Sequence, residues 1–512
     1  MTLLILTIDK KVDAMRLLIL PVVLALSACS LAPALVKPAL PVPTAYTDQA
    51  AIKPANNAAG NPANNSANNA SPDAHPLAAD LGWRAMFGDP RLQRLIELAL
   101  NNNRDLRLAA LNVEAAQAQF GIQRAARLPS VEAGGSFTRQ RTAANANADP
   151  AIPASEQNQV SLNVGLSAFE IDLFGRVKSL SDAAFARYLA TEEGRRATQI
   201  SLVGAVADAY FAQRLAQEQQ QLAQRTFEDW RQSLDLARRL RESHQSSGVD
   251  VAQAEGQVAS AEADLEARTR TVAQARNALR LLVGMELPAD LPEPLPLERQ
   301  PVVTQLPPGL PSELLFRRPD ILQAEQNLVA ANADMGAARA AFFPRLSLTA
   351  SLGFISPAMR SLFDGGQRAW SFAPQVTVPL FQGGRLRAEL RLAELRKSRA
   401  VADYERTIQV AFREVADGLA GSKTYGRQID AQTRVAASAE RRADLSDLRY
   451  RAGVDGRLEL LDSQRQLYAA RQTLLELRRA EFGNAVALYK ALGGGLTDTD
   501  LRPADGTARS GA

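Results

Sequence analysis

Apolar residues return at helical spacing over two long stretches that contain no proline. In the first, residues 176–246, Ile200, Val203, Ala207 and Tyr210 recur at three- and four-residue steps, as do Phe211, Leu215 and Leu222, so one stripe of a helix is apolar. In the second, residues 385–451, Val401, Tyr404, Ile408, Phe412, Val415 and Leu419 form the same kind of stripe. A helix of about 70 residues at ~1.5 Å per residue spans roughly 100 Å. No compact core covers such a rod, and a thin, alanine-rich stripe suits side-by-side packing in a coiled coil or tube. The rods also share text: Val206-Ala207-Asp208-Ala209-Tyr210 matches Val415-Ala416-Asp417-Gly418-Leu419, and Gly248-Val249-Asp250 matches Gly453-Val454-Asp455. The chain therefore reads as an internal duplication.

The segments around each rod repeat as well. Asp89-Pro90 reads as an N-cap with proline at the first helical position, opening a helix to about residue 127 that buries Leu92, Leu95, Ile96, Ala99, Leu106 and Val113. Leu128-Pro129 ends it. Two alternating stretches follow, with Val131, Ala133, Gly135 and Phe137 on one face of the first and Val160, Leu162, Val164, Leu166 and Ala168 on one face of the second. The polar segment 141–157 joins them as a hairpin loop. Phe174-Gly175-Arg176 turns the chain into the first rod, which reverses near Ser246-Ser247-Gly248 and returns over 249–283. The proline-rich segment 287–311 is expected to run along the outside as a connector. In the second half Pro319-Asp320-Ile321 opens a helix to Phe343, Pro344 stops it, and two alternating stretches follow: Leu346, Leu348, Ala350, Leu352, Phe354 and then Trp370, Phe372, Val376, Val378, Leu380. Gly383-Gly384-Arg385 feeds the second rod, which reverses at Gly453 and returns over Leu458–Ala491.

Four strands of about ten residues, apolar on one face, fit tilted membrane-spanning strands, which need ~9 to 11 residues each. Four strands cannot close a barrel, and an open edge in lipid leaves backbone groups unpaired, so several chains must complete one. Two chains give about eight strands, a width that side chains fill; three give about twelve and leave an opening.

The composition narrows the chemistry. A formal charge of +4 over 512 residues, with no lysine or arginine block, gives no nucleic-acid signature. The two histidines, His75 and His244, offer neither a catalytic pair nor a metal cluster, and no nucleophile-base pair or phosphate loop appears, so no enzyme is expected. The single cysteine, Cys29, excludes an intrachain disulfide. It follows Met15-Arg16, the apolar run Leu17–Leu26 and Leu26-Ser27-Ala28, a signal peptide whose small residues end at a cysteine and which resembles a bacterial lipobox. The run is too short for a comfortable membrane span. The following stretch, to about Pro76, is rich in proline, alanine and asparagine and is expected to be an extended tether.

The order of elements, together with Phe174-Gly175-Arg176, Arg317-Arg318-Pro319-Asp320-Ile321, Leu380-Phe381 to Gly384-Arg385 and Tyr450-Arg451-Ala452-Gly453-Val454-Asp455, resembles the outer membrane efflux lipoproteins of the TolC/OprM/NodT group. The resemblance spans Trp83 to Gly493. It implies an α+β membrane protein, internally duplicated, in which four transmembrane strands per chain complete a 12-stranded barrel in a homotrimer and the rods build a long periplasmic helical barrel. The corresponding division is a signal peptide (1–28), a lipidated tether (29–82), a first repeat (83–286), a connector (287–311), a second repeat (312–493) and a flexible tail (494–512). Cys29 would carry diacylglycerol and palmitate, and no other cofactor is implied. The role implied is the exit duct of a tripartite pump, with a periplasmic adaptor and an inner-membrane transporter of the resistance-nodulation-division class as partners. By the same resemblance Leu458 and Asp462, four apart and so on one helix face, form an apolar and an acidic ring at the closed end. The matching first-repeat positions are Gln253 and Gln257. Arg449, Tyr450 and Arg451 are candidates for a latch to a neighbouring helix, and Gly248, Val249, Asp250, Gly453, Val454 and Asp455 for contacts with the adaptor. Two other readings stay open, a duct for protein secretion and a lipid-anchored coiled-coil scaffold without a pore.

Overall fold

The computed structural model describes residues 31–35, 42, 81–145, 153–305 and 317–494. Cys29, the signal segment, most of the tether and the tail after Gly494 lie outside the described residues. In chain order the elements are α1 (Trp83–Met86), α2 (Pro90–Asn102), α3 (Arg104–Ala125), β1 (Val131–Thr142), β2 (Ser155–Ile171), α4 (Arg176–Glu242), α5 (Gly248–Val283), α6 (Pro319–Ala340), β3 (Arg345–Ser356), β4 (Arg368–Thr377), α7 (Arg385–Arg451) and α8 (Arg457–Ala491). Both rods, α4 and α7, are 67 residues long.

Two compact units emerge, and each takes slices from both halves of the duplication. The first comprises residues 31–35, 112–191 and 323–404 among those described. Its four strands form one antiparallel sheet in the order β1-β2-β3-β4. The register stacks the predicted apolar positions on one face: Phe137 opposite Val160, Gly135 opposite Leu162, Leu162 opposite Phe354, Leu352 opposite Trp370, Ala350 opposite Phe372. Phe137, Val164, Trp370, Phe372 and Val376 on this face are exposed, Trp370 to 75%. The other face is polar, with serine hydroxyls paired across strands at 2.8 Å (Ser136 and Ser161) and 2.7 Å (Ser351 and Ser371). β2 and β3 run so close that a Cβ at Gly353 would fall 2.1 Å from the Leu162 carbonyl oxygen.

Three sequence expectations change here. The first hairpin loop is shorter than 141–157, because polar residues keep pairing up to Thr142 opposite Ser155. Ala168 leaves the apolar alternation at an irregularity between Leu166 and Phe169, where its own φ is +49°. β4 stops at Thr377, so Val378 and Leu380 are not strand residues.

The start of the tether segment makes contacts of its own. In the described residues 31–35, the Pro33 carbonyl accepts a hydrogen bond from Asn332 Nδ2 at 2.9 Å, and a Cβ on Gly336 would fall 2.7 Å from that of Ala32. This segment is seated on α6, which only a glycine at 336 allows. Gly336→Val should displace it, seen as faster amide hydrogen exchange over 31–35 with sheet protection unchanged.

The second unit holds residues 42, 81–111, 192–305, 317–322 and 405–494 among those described. Its core joins α1 and α2 to the middle of α4, α8 and part of α7: Phe211 meets Phe482 with ring centroids 5.0 Å apart, and Phe87 meets Tyr489 at 5.9 Å. Asp89 caps α2 through Arg91 N at 2.8 Å and accepts the buried Tyr210 hydroxyl at 2.6 Å. The single helix expected from Asp89 to residue 127 is broken at Asn103, whose extended backbone ends α2 and whose side chain accepts from Leu106 N at 3.0 Å. Leu106 and Val113 are accordingly only half-buried. The connector is not merely external. Leu297 is fully buried in the core, and Gly88 N donates to the Pro301 carbonyl at 2.8 Å.

Candidate functional site

The rods turn back at two short tips in the second unit. At the first, His244 adopts φ +60°, its backbone N–H bonding to the Arg241 carbonyl, and Ser247 then caps α5. The cap is a reciprocal box: Asp250 N donates to Ser247 Oγ at 3.2 Å, while Ser247 N donates to Asp250 Oδ2 at 2.9 Å. The Ser247 backbone N–H first, then the Ser247 and Ser246 hydroxyls, donate to the Asp250 carboxyl and hold it below its usual range. At the second tip Gly453 supplies φ +69°, and Arg449 Nη2 donates to Asp455 Oδ1 at 2.8 Å. That guanidinium holds the Asp455 carboxyl below the usual range. Helix α8 starts from Gly456, with no side-chain cap.

The shared Gly-Val-Asp text therefore serves two different places. Gly248, Val249 and Asp250 are the first turn of α5, whereas Gly453, Val454 and Asp455 precede α8. Both carboxylates are occupied in closing their own turns, and both valines are exposed.

Leu458 and Asp462 lie on one face of α8 as expected, and Leu458 is 73% exposed. Asp462 is not alone: Arg442 Nη2, from α7, donates to it at 3.0 Å and to Glu459 at 2.8 Å, and Gln466 Nε2 donates to it at 2.9 Å. Arg442, Glu459 and Asp462 line a cleft of about 1000 Å³ together with Leu445, Arg449, Asp455 and Leu458. Arg451 pairs with Asp447 one turn earlier on its own helix at 2.9 Å, Arg449 closes its own turn, and the half-buried Tyr450 hydroxyl has no partner among the described residues. Within one chain, none of the three latch candidates reaches the other hairpin.

Residues that sequence reasoning passed over do reach it. Tyr468 on α8 donates its hydroxyl proton to Asp264 Oδ2 on α5, and the Tyr468 hydroxyl in turn accepts from Gln472 Nε2 at 2.9 Å. Gln257, the first-repeat counterpart of Asp462, is buried, and with its amide turned so that the oxygen faces the guanidinium it accepts from Arg465 Nε at 2.9 Å. Arg457, 5% exposed, donates to Ser233 Oγ at 3.3 Å, and its Nε and Nη1 find no partner among the described residues. One signal was available: a pair seventeen residues apart spans each turn, Arg238 with Glu255 at 2.9 Å and Arg442 with Glu459 at 2.8 Å.

Comparison with known proteins decides what this architecture is. Residues 95–285 and 310–494 match the family described as outer membrane efflux protein. The chain belongs to the outer membrane efflux protein family. Over 470 residues, 92% of this chain and 93% of each relative, it is 44% identical to the antibiotic efflux pump outer membrane protein ArpC and to the toluene efflux pump outer membrane protein TtgC, both of Pseudomonas putida. The solved open state of the Neisseria gonorrhoeae MtrE outer membrane channel superposes with a TM-score of 0.79 at 37% identity, covering 91% of this chain and 98% of that one. This is thus an α+β outer membrane protein of efflux, not a member of an enzyme family, whose four strands are one share of a trimeric barrel and whose rods are one share of a helical barrel. Among the described residues no helix is long and apolar enough to cross a membrane.

Proposed function

We propose that the chain is the exit duct of a tripartite pump for small toxic molecules, fed by a periplasmic adaptor and an inner-membrane transporter of the resistance-nodulation-division class, and closed at the second tip of each protomer. The observation that carries the duct is the sheet with one exposed apolar face and two unpaired edge strands, β1 and β4, on the same chain as two 67-residue rods. Threefold association seals those edges. Cys29 with its acyl chains anchors the trimer to the same membrane.

Three copies of Leu458 exclude water at the constriction and three of Asp462 set its charge. Arg442 tempers that charge without cancelling it, because one guanidinium is shared between two carboxylates, Asp462 and Glu459. The second hairpin is the moving one in this reading: α8 starts from Gly456 with no side-chain cap, whereas α5 has a full capping box, although a glycine cap forgoes only about a few tenths of a kcal/mol. The adaptor meets the exposed Val249 and Val454 rather than the engaged aspartates.

Planar bilayers test this reading. The purified trimer should conduct, with a reversal potential under a salt gradient that favours cations. Asp462→Asn should move that potential toward zero, and Arg442→Gln should move it away. A single-copy particle that passes no current would end the duct reading; two variants with unaltered selectivity would end the ring.

A further inference from the structure

The apolar face of the sheet does not stay apolar to its end. On β1 the alternation that sets Val131, Ala133, Gly135 and Phe137 on one face continues to Arg139 and Arg141. On β4, Arg368 precedes Trp370 and Phe372 on that same face and stands opposite Phe354. All three lie toward the hairpin loops, the end of the sheet away from the points where the chain enters and leaves the helices, and Arg360 lies in the loop between β3 and β4. Arg139 donates to Glu156 Oε2 at 2.6 Å and Arg141 reaches the other oxygen at only 4.0 Å, so two guanidiniums share one carboxylate. Arg360 and Arg368 are exposed and have no ion-pair or hydrogen-bond partner among the described residues. Against these four cations, the carboxylates of this end among the described residues are Glu156 and Asp364.

A guanidinium deep in hydrocarbon is costly, but near the interface most of that penalty disappears. A long side chain there reaches out to the headgroups. Arginine presents paired N–H groups to a phosphate where lysine offers a point charge. Excess cations directly above a lipid-facing apolar band complement anions that sit at that height. Closing the barrel also joins the β1 edge, with Arg139 and Arg141, to the β4 edge of the next copy, with Arg368, so the cluster is complete only at a seam.

We propose that Arg139, Arg141 and Arg368 form a binding site for the phosphate-bearing headgroup of a lipid at the outer rim of the barrel, one site per seam. The inference rests on the outer membrane barrel reading. Trp370 reports on it directly, being the one tryptophan in the four strands and two residues from Arg368. The trimer is reconstituted in phosphatidylcholine vesicles carrying either brominated phosphatidic acid or brominated phosphatidylcholine, and the fluorescence that Trp370→Phe removes is followed. Phosphatidic acid should quench several-fold more strongly at equal bromine content, the preference should shrink with salt, and Arg139→Gln/Arg141→Gln/Arg368→Gln should abolish it while the lysine triple variant keeps part. Equal quenching by the two lipids in the wild type overturns the site and leaves the barrel standing. No quenching by either lipid overturns both. Loss of the preference in excess inorganic phosphate shows a site for free anions and overturns the lipid assignment. Should the glutamine variant fail to assemble, the wild-type comparison still decides.

Discussion

Replacing Arg465 by alanine together with Tyr468 by phenylalanine should raise the single-channel conductance several-fold, because these two side chains tie the mobile hairpin to the fixed one. Tyr468 reaches Asp264 and Arg465 reaches Gln257, both on α5, so each bond crosses from the second hairpin to the first. Hydrogen bonds to charged groups contribute roughly 1.5–3 kcal/mol each, and loss of both is enough to invert an equilibrium that favours the closed tip. The Arg442 and Arg449 pairs join α7 to α8 and to its preceding turn, so they travel with the hairpin and should matter less to opening. Arg457 works against these ties and biases the tip toward opening, since its buried guanidinium gains hydration when the hairpins part. The tie is also titratable. Burial first, then the bond to Asp264, pushes the Tyr468 hydroxyl up to about 12 from an ordinary 10.0. A folded value above the unfolded one means that the stabilisation is complete below the ordinary value and is lost as pH climbs through the raised one. Wild-type conductance should therefore stay level to pH 10 and rise between 10 and 12, and Tyr468→Phe should remove that rise. A double variant with wild-type conductance would show that the tip is held elsewhere.

The rods and strands were legible because each carries one period without interruption. Ile200, Val203, Ala207 and Tyr210 are all buried on α4, and Tyr404, Ile408 and Val415 on α7, where the 3.6-residue pattern placed them. Strand ends were not legible, because in a membrane sheet pairing continues past the lipid into polar residues such as Arg141 and Glu156, which read locally as loop. Asn103 hid its break among three successive asparagines, any of which can cap a helix. Leu297 hid its burial in a proline-rich run, since one apolar anchor has no period. At the tip, sequence located Leu458, Asp462 and both turns. It passed over Arg465 and Tyr468 because their partners lie some two hundred residues away, and it equated two Gly-Val-Asp turns that differ in their offset from the following helix.

Arg318→Met should lower the stability of the second unit by about 3 kcal/mol, the largest loss expected from a single substitution outside the apolar core. The Arg318 side chain, 7% exposed, stands just before α6 and bonds in three directions. Its Nε and Nη2 take Asp320 at 3.0 and 2.6 Å, Nη2 also takes Glu414 of α7 at 2.9 Å, and Nη1 donates to the Ala491 carbonyl at the end of α8 at 2.9 Å. One planar group thus joins the entry of the second repeat to its rod and to the last turn of its returning helix. Burial alone would pull the guanidinium down, but Asp320 and Glu414 together hold it above its ordinary value. Methionine fills the volume and supplies no donor, so the Ala491 carbonyl and Glu414 lose the guanidinium and Asp320 keeps only the Ile321 backbone N–H. Those carboxylates are partly exposed, at 38% and 40%, so water recovers some of the loss and the figure sits at the lower end of the range for a broken buried pair. Lysine should not rescue it, because one ammonium cannot meet four acceptors at these angles. The check is the thermal unfolding midpoint of the detergent-solubilised trimer, with Arg318→Lys and Asp320→Asn alongside. Methionine and lysine should both fall well below wild type, and asparagine less far, because Glu414 and the Ala491 carbonyl still engage the arginine. A methionine variant that melts with the wild type would mean that the four bonds only offset the burial of the charge, and that the junction is held by its apolar packing.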